Sequence, residues 1–271
     1  MTKLVSRIRR RLIPSFLLPA AFAVWRTARD WSPHSVFRNW KARRGSALPI
    51  PPGALIFSSA GTRDVSWFLK SGEMTAESLR NGLKELGRPI ESFNAVLDLG
   101  CGCGRVLRQW AQVSGPRFFG TDYNPAGVRW GAANLAHVTY GTNELEPPLS
   151  YANGAFDLVY AISVFTHLPA DLQRSWIEEL HRIIRPGGVL LLTLSGSGDA
   201  ERITPEEQRS FKDGNLVVVD AKFAGTNMCS AYHPESWVRR SWSDLFRIAR
   251  VYPEGAKGSP RQDLYVFERV G

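Results

Sequence analysis

The stretch VLDLGCGCGR at residues 96–105 is the most informative part of the sequence. Its first half is apolar enough for a short buried strand, and the glycines at 100, 102 and 104 let the backbone turn tightly and approach a ligand. Arg105 stands where a dinucleotide-binding fingerprint would have its third glycine, and Asp98 precedes the first glycine by two residues. A carboxylate there suits a cationic ligand group and would repel a pyrophosphate. The stretch therefore predicts a strand-to-helix turn that binds something other than a dinucleotide.

Short apolar segments alternate with segments of helical spacing on both sides of this turn. The predicted strands are 95–99, 117–121, 137–140, 156–161 and 189–194, and the predicted helices are 75–86, 105–113, 125–136 and 171–184. Such alternation is typical of βαβ units and of a parallel sheet covered on both faces. The tail adds predicted strands at 216–219, 246–252 and 264–269 and a helix at 234–242. The last two strands should pair antiparallel, because the connection between them is too short for a crossover helix.

The net charge of +9 is concentrated at the N-terminal end of the chain. Residues 1–45 hold eleven Lys and Arg side chains and a single acid, whereas residues 46–271 are close to neutral. This asymmetry favours a basic arm that binds a surface over a protein that binds nucleic acid along its whole length. The three cysteines form neither a disulfide framework nor a zinc pattern, which indicates a reducing compartment.

The arm allows more than one interpretation. Arg9–Arg11 followed by the apolar run 12–25 is similar to a secretory signal, but Pro14 and Pro19 interrupt that run. The run is also shorter than the about 20 apolar residues that a membrane span needs. Tryptophans 25, 31 and 40 are interleaved with basic residues. A segment at a membrane surface or a lid, a solvated arm and a true export signal all remain open from these residues.

The motifs, taken in order, resemble those of the class I S-adenosylmethionine-dependent methyltransferases. The matching stretches are DLGCGCG at 98–104, FGTDYNP at 119–125, GTNE at 141–144, FDLVYAISVFTHL at 156–168 and LHRIIRPGGVLLL at 180–192. The resemblance implies a Rossmann-like, doubly wound α/β fold whose mostly parallel, seven-stranded sheet has an antiparallel last strand. We expect a basic arm at 1–45, a linker and a cap helix at 46–89, and a cofactor-binding domain at 90–271.

S-adenosylmethionine is the cofactor that the resemblance implies. The residues that it would contact are Asp98, Gly100, Cys101, Gly102, Gly104, Arg105, Asp122, Tyr123, Asn143, Glu144 and Ala161. Asp122 would bind both ribose hydroxyls and Tyr123 would flank the adenine. From the residues alone, Asp122 could instead cap the helix that begins near Pro125, and Asn143 and Glu144 could be ordinary loop residues.

Methyl transfer to oxygen or nitrogen needs a nucleophile close to the methyl group and can need a general base. Bases are expected at the carboxyl ends of the strands, where His167 follows the fourth strand. A neutral imidazole suits proton removal from a hydroxyl. His233, just before the predicted helix at 234–242, is the second candidate. Either histidine could instead be structural.

Several reaction types lack their residues in this chain. The fourth strand is followed by AISVFTH at 161–167, not by the Asn/Asp-Pro-Pro-aromatic stretch of enzymes that methylate amino groups of nucleic acids. Enzymes that methylate carbon 5 of pyrimidines use a cysteine nucleophile, typically after a proline, and no cysteine here follows a proline. No acid lies between Ala161 and Ala170, where catechol enzymes hold magnesium. We therefore expect no metal and a small-molecule or glycan acceptor, methylated on oxygen rather than nitrogen.

Two other functions are compatible with these residues. The basic arm could bind RNA for an RNA methyltransferase, although the near-neutral body argues against a nucleic-acid partner. The chain could also be a non-catalytic, cofactor-binding regulator of a partner protein. A cytoplasmic location is expected, with residues 1–45 contacting the inner face of a membrane as one option, which would suit a lipid-linked acceptor.

Overall fold

A computed structural model describes residues 32–258 and 262–271. The helices are α1 Pro33–Arg44, α2 Gly53–Ala60, α3 Val65–Glu85, α4 Pro125–Asn134, α5 Ala170–Ile183, α6 Pro205–Lys212 and α7 Glu235–Trp242. The strands are β1 Ala95–Leu99, β2 Arg117–Asp122, β3 Val138–Thr142, β4 Phe156–Ala161, β5 Ile184–Ser195, β6 Val217–Val219, β7 Ser230–Tyr232, β8 Phe246–Tyr252 and β9 Gln262–Arg269. Most of the predicted arm, including the apolar run 12–25, lies outside the described residues.

The sheet has the predicted parallel body and the predicted antiparallel end. Strands β3, β2, β1, β4 and β5 lie side by side in that order and pair in parallel. Strand β9 pairs antiparallel with β5 and with β8. The fold class is therefore confirmed, with one correction to the strand number.

The described sheet has nine strands, not seven. The two additional strands, β6 and β7, have three residues each and form an antiparallel pair, and Tyr232 of β7 meets Ser195 at the end of β5. Strands this short carry no usable alternation of polar and apolar residues, so the sequence indicated only the first of them. The loop between them, residues 220–229, contributes to the site described below.

The core lies on both faces of the parallel strands, because successive side chains of a strand point to opposite faces. Leu97 of β1 packs in one cluster with Ile177 of α5. Its neighbour Val96 packs in the other cluster with Leu79 of α3. The central strands β1 and β4 are buried along their whole length. Of the described residues, no helix is long and apolar enough to cross a membrane.

The helix predicted at 105–113 is not formed as such. The structure has a series of turns and a short 3-10 helix, Leu107–Trp110. Helix α3 covers this flank of the sheet and approaches so closely that a Cβ on Gly72 would lie 2.4 Å from the carbonyl oxygen of Arg105. The long amphipathic helix that the sequence places at 75–86 begins ten residues earlier, at Val65. Tertiary packing by this longer helix overrides the local helical pattern after the glycines.

Asp157 at the start of β4 ties that strand to β1. Its side chain is buried and accepts hydrogen bonds from the backbone N–H groups of Asn94 at 2.8 Å and Ala95 at 2.9 Å, and from the Asn94 side chain at 3.0 Å.

Asp157→Ala should lower the free energy of unfolding by about 2–4 kcal/mol, because it leaves buried N–H donors without a hydrogen-bond acceptor. Urea denaturation measures this change. The exposed Glu77→Gln is the control and should stay within about 0.5 kcal/mol of wild type; equal stability of both variants would contradict the assignment.

Candidate functional site

A cavity of about 350 Å³ opens at the carboxyl ends of β1, β2 and β4. The order of the strands reverses between β1 and β4, and ligands of open α/β sheets bind at such points. The wall is formed by residues 58–59, 98–102, 105–106, 122–124, 143–145, 162–164, 167–168, 176 and 225–227. Most of the residues predicted to bind the cofactor therefore lie around one cavity.

The glycine-rich loop after β1 forms the floor of the cavity. Gly100 has a positive φ of 76°, and a Cβ there would lie 2.4 Å from Cγ2 of Val164. Glycine is required at 100 for both reasons. Gly104, by contrast, is not part of the cavity wall, because it turns towards Leu135 and Tyr140. Gly104 therefore has a packing role here, and its contact with the cofactor stays a prediction.

Asp122 at the end of β2 holds this loop in place. Its carboxylate accepts hydrogen bonds from the backbone N–H groups of Gly102 and Asn124, both at 2.7 Å. Burial raises the pKa of Asp122, and these two N–H groups oppose that rise. Asn124 caps α4 by accepting a hydrogen bond from the N–H of Ala126. The capping role that the sequence left open for Asp122 thus belongs to Asn124, and the Asp122 carboxylate lines the cavity.

An acidic and a basic side chain meet at the inner end of the cavity. Asp98 is buried and receives a hydrogen bond from the Tyr160 hydroxyl, and burial raises its pKa well above the ordinary value. The Arg105 guanidinium lies close enough to Asp98 to oppose that rise, and it donates to Oγ1 of Thr75 at 3.2 Å and to Oγ of Ser71 at 3.4 Å. Both charged side chains line the cavity. A carboxylate beside a guanidinium is complementary to the ammonium and carboxylate groups of an amino acid.

His167 lies at the end of a short 3-10 helix, Phe165–His167, and lines the cavity. Its Nδ1 is 2.7 Å from the carbonyl oxygen of Cys229. A carbonyl only accepts, so we assign the hydrogen to Nδ1, which leaves Nε2 as an unprotonated acceptor. Burial lowers the pKa of His167, which keeps the ring neutral near pH 7.

His233 is not brought to the cavity. It is 1% exposed, its Nε2 is 3.1 Å from Oε1 of Gln173, and its ring packs against Trp237 and Trp242. Burial lowers the pKa of His233 to about 3. The second candidate base is thus corrected: His233 is a neutral core residue, and of the two histidines His167 lines the cavity.

Of the remaining residues predicted to contact the cofactor, some line the cavity and one does not. Cys101, Tyr123, Asn143 and Glu144 line the cavity. Ala161 does not, because it is the last buried residue of β4 and the wall begins one residue later, at Ile162.

The sequence did not indicate the part that the loop between β6 and β7 plays. We call residues 220–229 the strap. The N–H of Gly225 donates to the carbonyl oxygen of His167 at 2.8 Å, the Tyr123 hydroxyl donates to the Gly225 carbonyl oxygen, and Thr226 and Asn227 line the cavity. A Cβ on Gly225, which has a positive φ of 78°, would lie 2.5 Å from Leu145. A glycine before a polar pair is too common a pattern to single out.

The Tyr123 hydroxyl is expected to hold the strap closed. Tyr123→Phe removes one hydrogen bond of about 1 kcal/mol, so the amides of residues 220–229 should exchange hydrogen about fivefold faster. Hydrogen exchange followed by mass spectrometry measures this. Tyr252→Phe, which removes a hydroxyl bonded to Glu85 at 2.7 Å, is the matched control and should leave strap exchange unchanged. Identical strap exchange in Tyr123→Phe and wild type would contradict the role.

Metal ligands do not gather in the described part of the chain. No group of three or more His, Cys, Asp or Glu side chains there could hold a metal ion.

Comparison with known proteins places residues 96–188 in a family described as a methyltransferase domain. A methyltransferase of Synechocystis sp. is 37% identical over 104 residues, which cover 38% of this chain and 48% of that protein. A sterol 24-C-methyltransferase of Gibberella zeae is 32% identical over 106 residues, which cover 37% of this chain and 27% of that protein. The chain thus spans less than half the length of these curated relatives.

Solved structures share the fold. The S-adenosylmethionine-dependent methyltransferase of Mesorhizobium loti superposes with a TM-score of 0.50 at 16% identity, covering 71% of this chain and 98% of that protein. The family match includes the glycine-rich loop, Asp122 and His167, all of which line the cavity. Residues 96–188 are therefore a methyltransferase domain, and the fold around them is that of S-adenosylmethionine-dependent methyltransferases.

Proposed function

We propose that the chain transfers a methyl group from S-adenosylmethionine to a hydroxyl group of a small-molecule, glycan or lipid-linked acceptor, without a metal ion and with His167 as the general base. The observation that carries the proposal is the hydrogen bond from Nδ1 of His167 to the Cys229 carbonyl, because it leaves Nε2 of this cavity-lining residue without a proton. In this proposal residues 90–271 bind the cofactor, residues 46–89 form a cap, and residues 1–45 form a basic arm.

The described residues fit the cofactor. Its methionine end carries an ammonium and a carboxylate, which match Asp98 and Arg105, and its ribose hydroxyls match the Asp122 carboxylate. The close approach of Gly100 to Val164 leaves no room for a larger residue in the loop that would pass beneath it. When bound, S-adenosylmethionine supplies a methyl group on a positively charged sulfur, which is open to attack by a nucleophile.

The role of His167 follows from its hydrogen bonds. The Cys229 carbonyl fixes the orientation of the ring and the position of its proton, so that Nε2 can accept the proton of an acceptor hydroxyl. The strap holds the backbone of His167, because the Gly225 N–H donates to the His167 carbonyl oxygen. The strap therefore positions the base and takes no part in the proton transfer. Tyr123 joins the strap to the proposed adenine side of the cavity.

The preference for oxygen rests on this base. The relative from Gibberella zeae is named for methyl transfer to carbon, so the comparisons alone do not choose the acceptor atom. A hydroxyl loses its proton as it attacks, and a neutral imidazole can accept that proton. The lowered pKa of His167 keeps its imidazole neutral. Part of the wall is apolar and consists of Leu145, Val164, Leu168 and Trp176. This suits an acceptor that carries an apolar group beside its hydroxyl.

The experiment uses S-adenosylmethionine labelled with tritium in the methyl group. The purified chain is incubated with cell extract separated into lipid, glycan, small-molecule, protein and RNA fractions, with and without a metal chelator. Label in a lipid, glycan or small-molecule fraction, undiminished by the chelator, supports the proposal. Label in RNA favours the RNA alternative, absence of label in every fraction favours a regulatory protein, and loss of label with chelator overturns the metal-free mechanism.

A further inference from the structure

Helix α1 turns polar side chains inward and aromatic side chains outward. On the inner side, Arg38 forms an ion pair with Asp64 at 2.7 Å, and Asn39 accepts from the Val65 N–H at 2.9 Å. On the outer side, Phe37 is 62% exposed and Trp40 is 48% exposed. A helix that only needed to pack on the body would show the opposite arrangement.

The outer face of α1 consists of Val36, Phe37, Trp40, Lys41 and Arg44, all of which are exposed. Its rings and cations are adjacent: the centroids of Phe37 and Trp40 are 5.8 Å apart, and the Arg44 guanidinium lies 4.4 Å from the Trp40 centroid. The sequence contains no acid from residue 31 to residue 63. This face is therefore both apolar and positively charged.

We propose that the outer face of α1 docks on an anionic lipid surface. Aromatic rings are favoured at the boundary between headgroups and acyl chains, and lysine and arginine are attracted to anionic headgroups. The basic residues that precede α1 in the sequence add charge of the same sign. A second copy of the chain would present the same positive face and be repelled. The Trp40 ring already contacts Arg44 and Phe37, which leaves less of its surface for stacking on a nucleic-acid base.

The outer face is linked to the cavity through the packing of the N-terminal helices. Ala42 of α1 packs in one cluster with Ile56 of α2 and Cys103 of the glycine-rich loop. Helix α2 in turn contributes Ser58 and Ser59 to the cavity wall. Docking through α1 would therefore hold one wall of the cavity near the lipid surface. Lipid binding by this face does not depend on the identity of the acceptor.

The test is co-sedimentation of the full chain with vesicles of phosphatidylcholine containing phosphatidylglycerol, and with vesicles of phosphatidylcholine alone. We expect wild type to bind the anionic vesicles and to bind the neutral ones at least tenfold less. F37S/W40S should bind the anionic vesicles at least tenfold less than wild type. K41Q/R44Q should bind them about 25-fold less, at about fivefold for each basic residue near the surface.

The matched control is Val270→Ser, which removes another exposed apolar side chain, 46% exposed, and should bind as wild type does. All variants change exposed residues, so an unchanged melting temperature verifies that they are folded. Wild-type binding by both double variants would overturn the proposal and assign any lipid affinity to residues 1–31. RNA binding without vesicle binding, or a dimer that F37S/W40S abolishes, would overturn it in favour of those partners.

Discussion

Asp122→Ala is expected to lower the affinity for S-adenosylhomocysteine by about 100-fold or more, since hydrogen bonds to a charged group contribute about 1.5–3 kcal/mol each and two ribose hydroxyls would lose them. The variant also removes the acceptor of the Gly102 N–H, which shapes the glycine-rich loop. Isothermal titration calorimetry measures the affinity directly.

Two variants separate the charge of Asp122 from its shape. Asp122→Asn keeps one acceptor oxygen but loses the negative charge, and should bind with an affinity between those of wild type and Asp122→Ala. Glu77→Gln removes an exposed carboxylate on α3 and should bind as wild type does. If Asp122→Ala bound within threefold of wild type, the assignment of Asp122 to the ribose would be wrong.

His167→Ala should lower methyl transfer by about 10²–10⁴-fold, the range that general base catalysis contributes, while the affinity for S-adenosylhomocysteine stays unchanged. His167→Asn is the sharper variant, because its amide can donate to the Cys229 carbonyl in place of Nδ1 but cannot act as a base. Transfer of labelled methyl into the labelled fraction of cell extract is the measurement. The core residue His233 offers a contrast: His233→Ala should destabilise the fold.

The pH dependence of transfer follows from the same residue. The base must be unprotonated, and burial lowers the pKa of His167 below its ordinary value of about 6.5. Transfer should therefore be constant from pH 7 to pH 8 and should decline as the pH falls through the lowered pKa. Full transfer by His167→Asn, or a decline that begins above pH 7, would contradict the role of His167 as base.

The sequence predicts those site residues whose position follows from the neighbouring strand in the chain. Asp98 and Asp122 lie near the carboxyl ends of β1 and β2, the glycine-rich loop follows β1, and strand ends meet at one edge of a parallel sheet. Ala161, which the sequence predicts at the cofactor, lies one residue before the cavity wall, because the end of a strand is poorly defined by a continuous apolar run.

The remaining parts depend on contacts between distant segments. His167 and His233 look alike in sequence, and only the burial of His233 among tryptophans distinguishes them. The strap reaches Tyr123 across about 100 positions of the chain, and no local pattern marks such a contact. The outward aromatic face of α1 also depends on which side of the helix meets Asp64.

The most direct test of the proposed reaction is the identity of the atom that receives the methyl group. The chain is incubated with S-adenosylmethionine carrying a ¹³C-labelled methyl group and with the extract fraction that takes up label, and the product is examined by NMR. We expect a single methyl resonance of a methyl group bound to oxygen, which is lost in His167→Asn. A methyl group bound to carbon or nitrogen, formed equally well by wild type and His167→Asn, would contradict it.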